Sequence, residues 1–118
     1  MRYITGIVYV FILIAGLIGC EASTPKVGTI AERLQAEDPD VRIQAAVEAG
    51  NLGDKKVVPL LVERLSDSNR DVRFFSGLAL ERIVGEKEYK QLGWVSYDPP
   101  EQRDNALRRW RQWVREHY

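Results

Sequence analysis

One cysteine, one histidine and one methionine occur among 118 residues, and 17 basic side chains cancel 17 acidic ones. A single thiol excludes a disulfide framework. One thiol and one imidazole also exclude a Cys/His metal cluster and leave no Cys–His or Ser–His pair at the usual catalytic spacing. The even charge argues against bulk capture of nucleic acid, which works by neutralising many phosphates with a basic surface. Phosphate loops, dinucleotide fingerprints, paired-histidine metal helices and nucleophile elbows are absent too, so no cofactor and no catalytic residue is expected. The 17 acids are scattered, and none is singled out as half of a hydrolytic pair. What is left is room for one small domain.

The chain is made of two materials. Met1 to Gly19 carries one charge, Arg2, ahead of an apolar run from Ile7 to Ile18 broken only by Tyr9 and Gly16. From Cys20 onward the formal charge is −1, because the leader holds one basic residue and no acid. A bilayer core needs roughly 20 apolar residues, so the run is short for a span and has the form of a secretory signal peptide. The sole cysteine stands just past its end. Leu17-Ile18-Gly19-Cys20 closely resembles the lipobox of bacterial lipoproteins. That resemblance implies cleavage before Cys20, a thioether to diacylglycerol and a further acyl chain such as palmitate on the freed amine. Two or three chains anchor stably where one is marginal. The expected address is the cell envelope, facing the periplasm, with Glu21 pointing sorting toward the outer membrane. An uncleaved anchor with an incidental Cys20 is the alternative. Residues 20–26 would be the acylated cysteine and a short polar tether.

The remainder repeats itself at an offset of 31. Val27, Ile30, Ala31 and Leu34 fall on Val58, Leu61, Val62 and Leu65, both at the i, i+3, i+4, i+7 spacing of one helical face. Asp40-Val41-Arg42 falls on Asp71-Val72-Arg73, and Ala45 and Ala46 fall on Ser76 and Gly77. Two helices per unit, A then B, are therefore expected twice. Asp38 and Asn69 stand at the N-caps of the B helices, Pro39 at a first helical position, and Gly53 and Gly85 at the C-terminal stops. A period near 30 built of two amphipathic helices is an α-solenoid signature. The stretches Leu34 to Arg42 and Leu65 to Arg73 resemble the L-x-D-x-x-x-x-V-R core of HEAT-like repeats, of the short type also seen in phycobilin lyases. The resemblance implies an all-α solenoid of about two and a half helical hairpins with a C-terminal capping helix. It further implies that Asp67 bonds the inter-helix turn and Arg73. Unit one has Ala36 at that place and is expected to be less tightly clipped. Repeat one is assigned to 27–53, repeat two to 54–85, and a partial repeat with its cap to 86–118. Within the last, a short third A helix is expected, then a helix starting near Pro99 behind an Asp98–Glu101 capping box.

Such repeats serve mainly as binding scaffolds, so the expected role is a non-catalytic interaction module or accessory subunit with an unidentified protein partner, held to the membrane by Cys20. On the B-helix ridge the candidate contacts are Gln44, Glu48, Phe75 and Arg82. Trp94 and Tyr97 lie in a loop without period, where exposure would make an adhesive patch. Arg108, Arg111 and Arg115 share one face of the last helix, which could dock acidic head groups or an acidic protein, although Asp104 is spaced to pair with Arg108. Arg42 and Arg73 are read as structural, and Trp110 and Trp113 as cap residues. A lyase-like, chromophore-handling protein and a membrane-surface binder using the arginine face remain as alternatives.

Overall fold

The computed structural model describes residues 28–94, 96 and 98–118; Cys20, Val27 and Tyr97 lie outside them. Among the described residues every regular element is a helix. Helix α1 (Ile30–Arg33) is one turn held by a reciprocal cap: Thr29 Oγ1 accepts the Glu32 N–H at 3.1 Å, and the Thr29 N–H donates to Glu32 Oε2 at 2.9 Å. Helix α2 (Pro39–Leu52) starts behind Asp38, whose carboxylate accepts the Asp40 N–H. It stops at Gly53, where φ of 62° suits a residue without Cβ. A 3₁₀ turn (Lys55–Val57) leads into α3 (Val58–Arg64). Helix α4 (Arg70–Val84) is capped by Asn69, whose Oδ1 accepts the N–H groups of Asp71 and Val72. Helix α5 (Glu86–Leu92) is about two turns, and α6 (Pro100–His117) closes the fold.

The α-solenoid read from the repeat is the architecture observed, with α1, α3 and α5 as A helices and α2 and α4 as parallel B helices. The repeated apolar set forms the core: Leu34, Val58, Leu61, Val62, Leu65, Val72 and Leu80 are buried, together with Ala45, Ala46, Ser76 and Gly77. Small residues let α2 and α4 approach closely. A Cβ on Gly50 would lie 3.0 Å from Ala79 Cα. Helix α6 packs chiefly on α3 and α5 rather than beside α4, and its fully buried Trp110 sits against Tyr89 and Trp113 at ring separations of 5.9 Å. This is the capping position expected for the tryptophan-rich helix.

Three local expectations are corrected. Helix α6 has no capping box, because its cap residue is Pro99 and no side chain bonds its first turn. Asp67 does not pair with Arg73. Its carboxylate takes the Asn69 N–H at 3.0 Å and Arg42 Nη2 at 2.9 Å, so it ties unit two to unit one, while Arg73 Nη1 donates to the carbonyls of Asp67 and Ser68. Unit one is consequently not loose. Arg42 Nη1 also donates to the carbonyls of Ala36 and Glu37, both at 2.7 Å, and so clips the turn that lacks an aspartate.

Candidate functional site

Helices α2 and α4 lie side by side with the same face outward, and their outward residues are equivalent positions one period apart. Ile43 corresponds to Phe74, Gln44 to Phe75, Val47 to Leu78 and Asn51 to Arg82. Apolar members of this set reach solvent: Val47 is 36% exposed, Leu78 37% and Phe74 45%, and Leu52 at the end of α2 is 68% exposed. Phe74 and Phe75 meet edge to face at 5.3 Å. Between the helices runs a groove of about 90 Å³ lined by Val47, Gly50, Phe75, Leu78 and Arg82 among others. Val47 also borders a wider depression on α2 of about 490 Å³, with Ile43, Gln44, Glu48 and Leu52. The two hollows share Val47 as a lining residue, so an apolar strip with contributions from both repeats runs past it.

Polar groups frame the strip. Arg82 Nη1 donates to Asn51 Oδ1 at 2.6 Å across the helix pair, and Glu48 accepts from Arg33 Nη2 at 2.7 Å. Of the four ridge candidates, Gln44 and Arg82 are exposed, whereas Glu48 and Phe75 are half-buried; Gln44 and Glu48 border the depression on α2, and Phe75 and Arg82 the groove between the helices. The reading from sequence missed Ile43, Val47, Leu52, Phe74 and Leu78. The signal was present, since Ile43, Val47, Phe74 and Leu78 repeat at i, i+4 in each B helix beside the small core pairs. An apolar residue one helical step outside the core stripe marks a second, outward stripe.

The other candidates do not join this surface. Trp94 is not an exposed loop aromatic: it is 6% exposed and packs on Gly77, where an added Cβ would lie 2.9 Å from its ring. The Tyr89 hydroxyl donates to its carbonyl, and burial, more than the nearby Glu81 charge, pushes the Tyr89 phenol up to about 12. Tyr97 lies outside the described residues. On α6, Arg108 bonds Asn105 rather than Asp104. Arg111 is a two-pronged partner of Glu63 on α3, at 3.1 Å from Nε and 2.9 Å from Nη2, and this bond holds the Glu63 carboxyl below its usual range. Arg115 is exposed. The arginine face is thus partly engaged in holding α6 to α3. His117 stacks on Trp113 at 4.4 Å and bonds the Trp113 carbonyl through Nδ1. Among the described residues no group of acids and imidazole is arranged to hold a metal ion, and no helix is long and apolar enough to cross a membrane.

A family described as HEAT repeats matches residues 27–108. No curated protein and no solved structure matches the chain.

Proposed function

Because the chain belongs to the HEAT-repeat family, we propose that it is a non-catalytic docking module whose B-helix ridge receives an amphipathic helix of a partner protein. The observation that carries this is the doubled outward stripe, Ile43 and Val47 on one helix and Phe74 and Leu78 on the next. Water-facing positions of a stable repeat have no packing reason to be apolar, and here they are apolar at the same places in both units. A helix laid along the groove would cover them with its apolar face, while Arg82, Gln44 and Asn51 would remain as a polar rim.

In the same reading Cys20 is acylated and the domain lies close to a bacterial membrane, at the end of a tether of a few residues. Its leader, its lone cysteine and the lipobox resemblance support this address. The hollows are shallow strips rather than enclosed cavities, which favours a docking surface over chromophore handling.

Site-specific photocrosslinking in cells tests the ridge. Probes at Val47 and Leu78 are expected to yield the same discrete protein adduct, lost in the Phe74→Ser variant, while a probe at Arg108 yields none. No discrete adduct from either ridge position would overturn the proposal. The address is tested separately by fractionation with labelled fatty acid: label on the wild type and none on Cys20→Ala is expected, and an unlabelled wild type refutes acylation.

A further inference from the structure

Helices α2 and α4 both stop at a glycine at the same end of the stack, and a Cβ on Gly53 or Gly85 would meet nothing within 4 Å. That end is uncovered. Helix α6 finishes beside it: a hollow of about 460 Å³ is lined by Lys55 from the 3₁₀ turn, Ile83 and Val84 from the last turn of α4, and Trp113, His117 and Tyr118 from the end of α6. The two most exposed large hydrophobic side chains of the described residues stand here. Leu52, the last residue of α2, is 68% exposed, and Tyr118 is 54% exposed with its ring 6.0 Å from that of Trp113. Lys55, Lys56 and Lys87 are exposed around them and form no ion pair among the described residues. Of the acids at this end, Asp54 caps the 3₁₀ turn, Glu86 pairs with Lys90, and Glu88 is the one acidic side chain lining the hollow.

The N-terminal segment enters at this same end. Arg42, near the start of α2, bonds the carbonyls of Ala36 and Glu37, and Arg33 reaches Glu48 near its finish. Helix α1 therefore runs antiparallel to α2, and the chain ahead of it comes from the Leu52 side. The 8 steps from Gly28 back to Cys20 span at most about 26–29 Å when fully extended. A tether so short cannot carry a membrane anchor round to the opposite end of the stack and still leave the domain free to turn. An acylated Cys20 and an uncleaved leader impose the same constraint, since both place the bilayer ahead of residue 20.

We infer that this end of the solenoid rests on the membrane surface at the level of the lipid head groups, an inference that builds on the membrane address proposed above. Leu52, Tyr118 and the edge of Trp113 are the apolar contacts, and tyrosine and tryptophan rings favour that level of a bilayer. Lys55, Lys56 and Lys87 lay their stems along the apolar surface and reach anionic phosphates with their ammonium groups. The B helices then stand upright on the membrane, and their outward stripe faces sideways, open along its length to a partner. Phe74 and Arg108 lie about 14–15 Å above the ends of their helices, beyond the roughly 5–10 Å to which an interfacial contact is buried.

Photocrosslinking probes in the full membrane-anchored chain, in vesicles of phosphatidylethanolamine and phosphatidylglycerol, test the orientation. Probes at Leu52 and Tyr118 are expected to give phospholipid adducts at least about fivefold more often than probes at Phe74 and Arg108. Each lysine near an anionic surface favours contact by about fivefold, so the double variant Lys55→Glu, Lys56→Glu should cut the adduct yield at Leu52 at least that far. Both lysines are exposed and unpaired, so this variant keeps the fold. In vesicles of phosphatidylcholine alone the variant and the wild type should give equal yields. Equal yields at all probe positions, or a higher yield at Arg108, overturn the inference, as does an unchanged yield in the double variant. Acylation is read separately by fatty-acid label: a chain that takes up no label and is held by its leader refutes acylation, yet still gives the adduct pattern expected here.

Discussion

Replacing Asp67 by Ala removes one carboxylate and strands several donors. Its oxygens accept from Arg42 Nη2 at 2.9 Å, the Asn69 N–H at 3.0 Å and Arg64 Nη1 at 3.4 Å, and both Asp67 and Arg42 are buried. Removing one partner of a buried ion pair costs about 3–5 kcal/mol, because the remaining charge keeps its desolvation penalty. Arg42 retains the Ala36 and Glu37 carbonyls, so the lower end of the range applies. A loss of about 3 kcal/mol from a total near 5–15 kcal/mol lowers the midpoint by about 12–24 °C, at about 4–8 °C per kcal/mol for a domain of this size. The control is Glu63→Ala. That residue has an equally well-formed pair with Arg111, but in solvent, where such pairs are worth about 0.2–1 kcal/mol. Melts followed by circular dichroism should separate the two variants widely. Equal midpoints would refute the view that the Arg42–Asp67 contact clips the two units together.

Trp110→Ala is expected to cost about 3–5 kcal/mol as a large-to-small change at a fully buried site, and deletion of everything after Asp98 to cause aggregation or a much lower melt; a truncated chain that melts like the full one would show that α6 is no cap. Gly50→Ala should lower the midpoint despite a gain in helix propensity of about 1 kcal/mol, because its Cβ would press on the Ala79 backbone at 3.0 Å; a stabilised variant, read by the same melt, would mean that α2 and α4 stand further apart. The Tyr89 phenol, raised to about 12 in the folded chain, keeps its proton while the unfolded chain loses one near pH 10. Stability should therefore be fully present below pH 10 and fall between about pH 10 and 12. Denaturant titrations across that range should show a flatter profile for Tyr89→Phe, and identical slopes would count against the burial of this ring.

Much of the fold was legible because repetition prints the same physical demand twice. Leu34 and Leu65, Ala46 and Gly77, Asp38 and Asn69 each occupy one structural place, and agreement between two copies identifies a core face or a cap more securely than either copy alone. The candidate site was only half legible. Gln44 and Arg82 were found as outward positions, but the apolar residues beside them, Val47 and Leu78, look in sequence like further core.

Local chemistry in the sequence determined the helices, their stops and the order of the units: an apolar stripe of period 3.6, an N-cap side chain and a C-terminal glycine each act within a few residues. The choice of partners across units belonged to the tertiary structure. Arg42 reaches Asp67 across 25 positions, Glu63 meets Arg111 across 48, and Trp94 is buried because Gly77 leaves room for it. None of these contacts leaves a periodic trace, since a long arginine or a loop indole can meet any of several surfaces. The direction of α6 decided which it met: by lying on α3 and α5 it covered Trp110 and engaged Arg111.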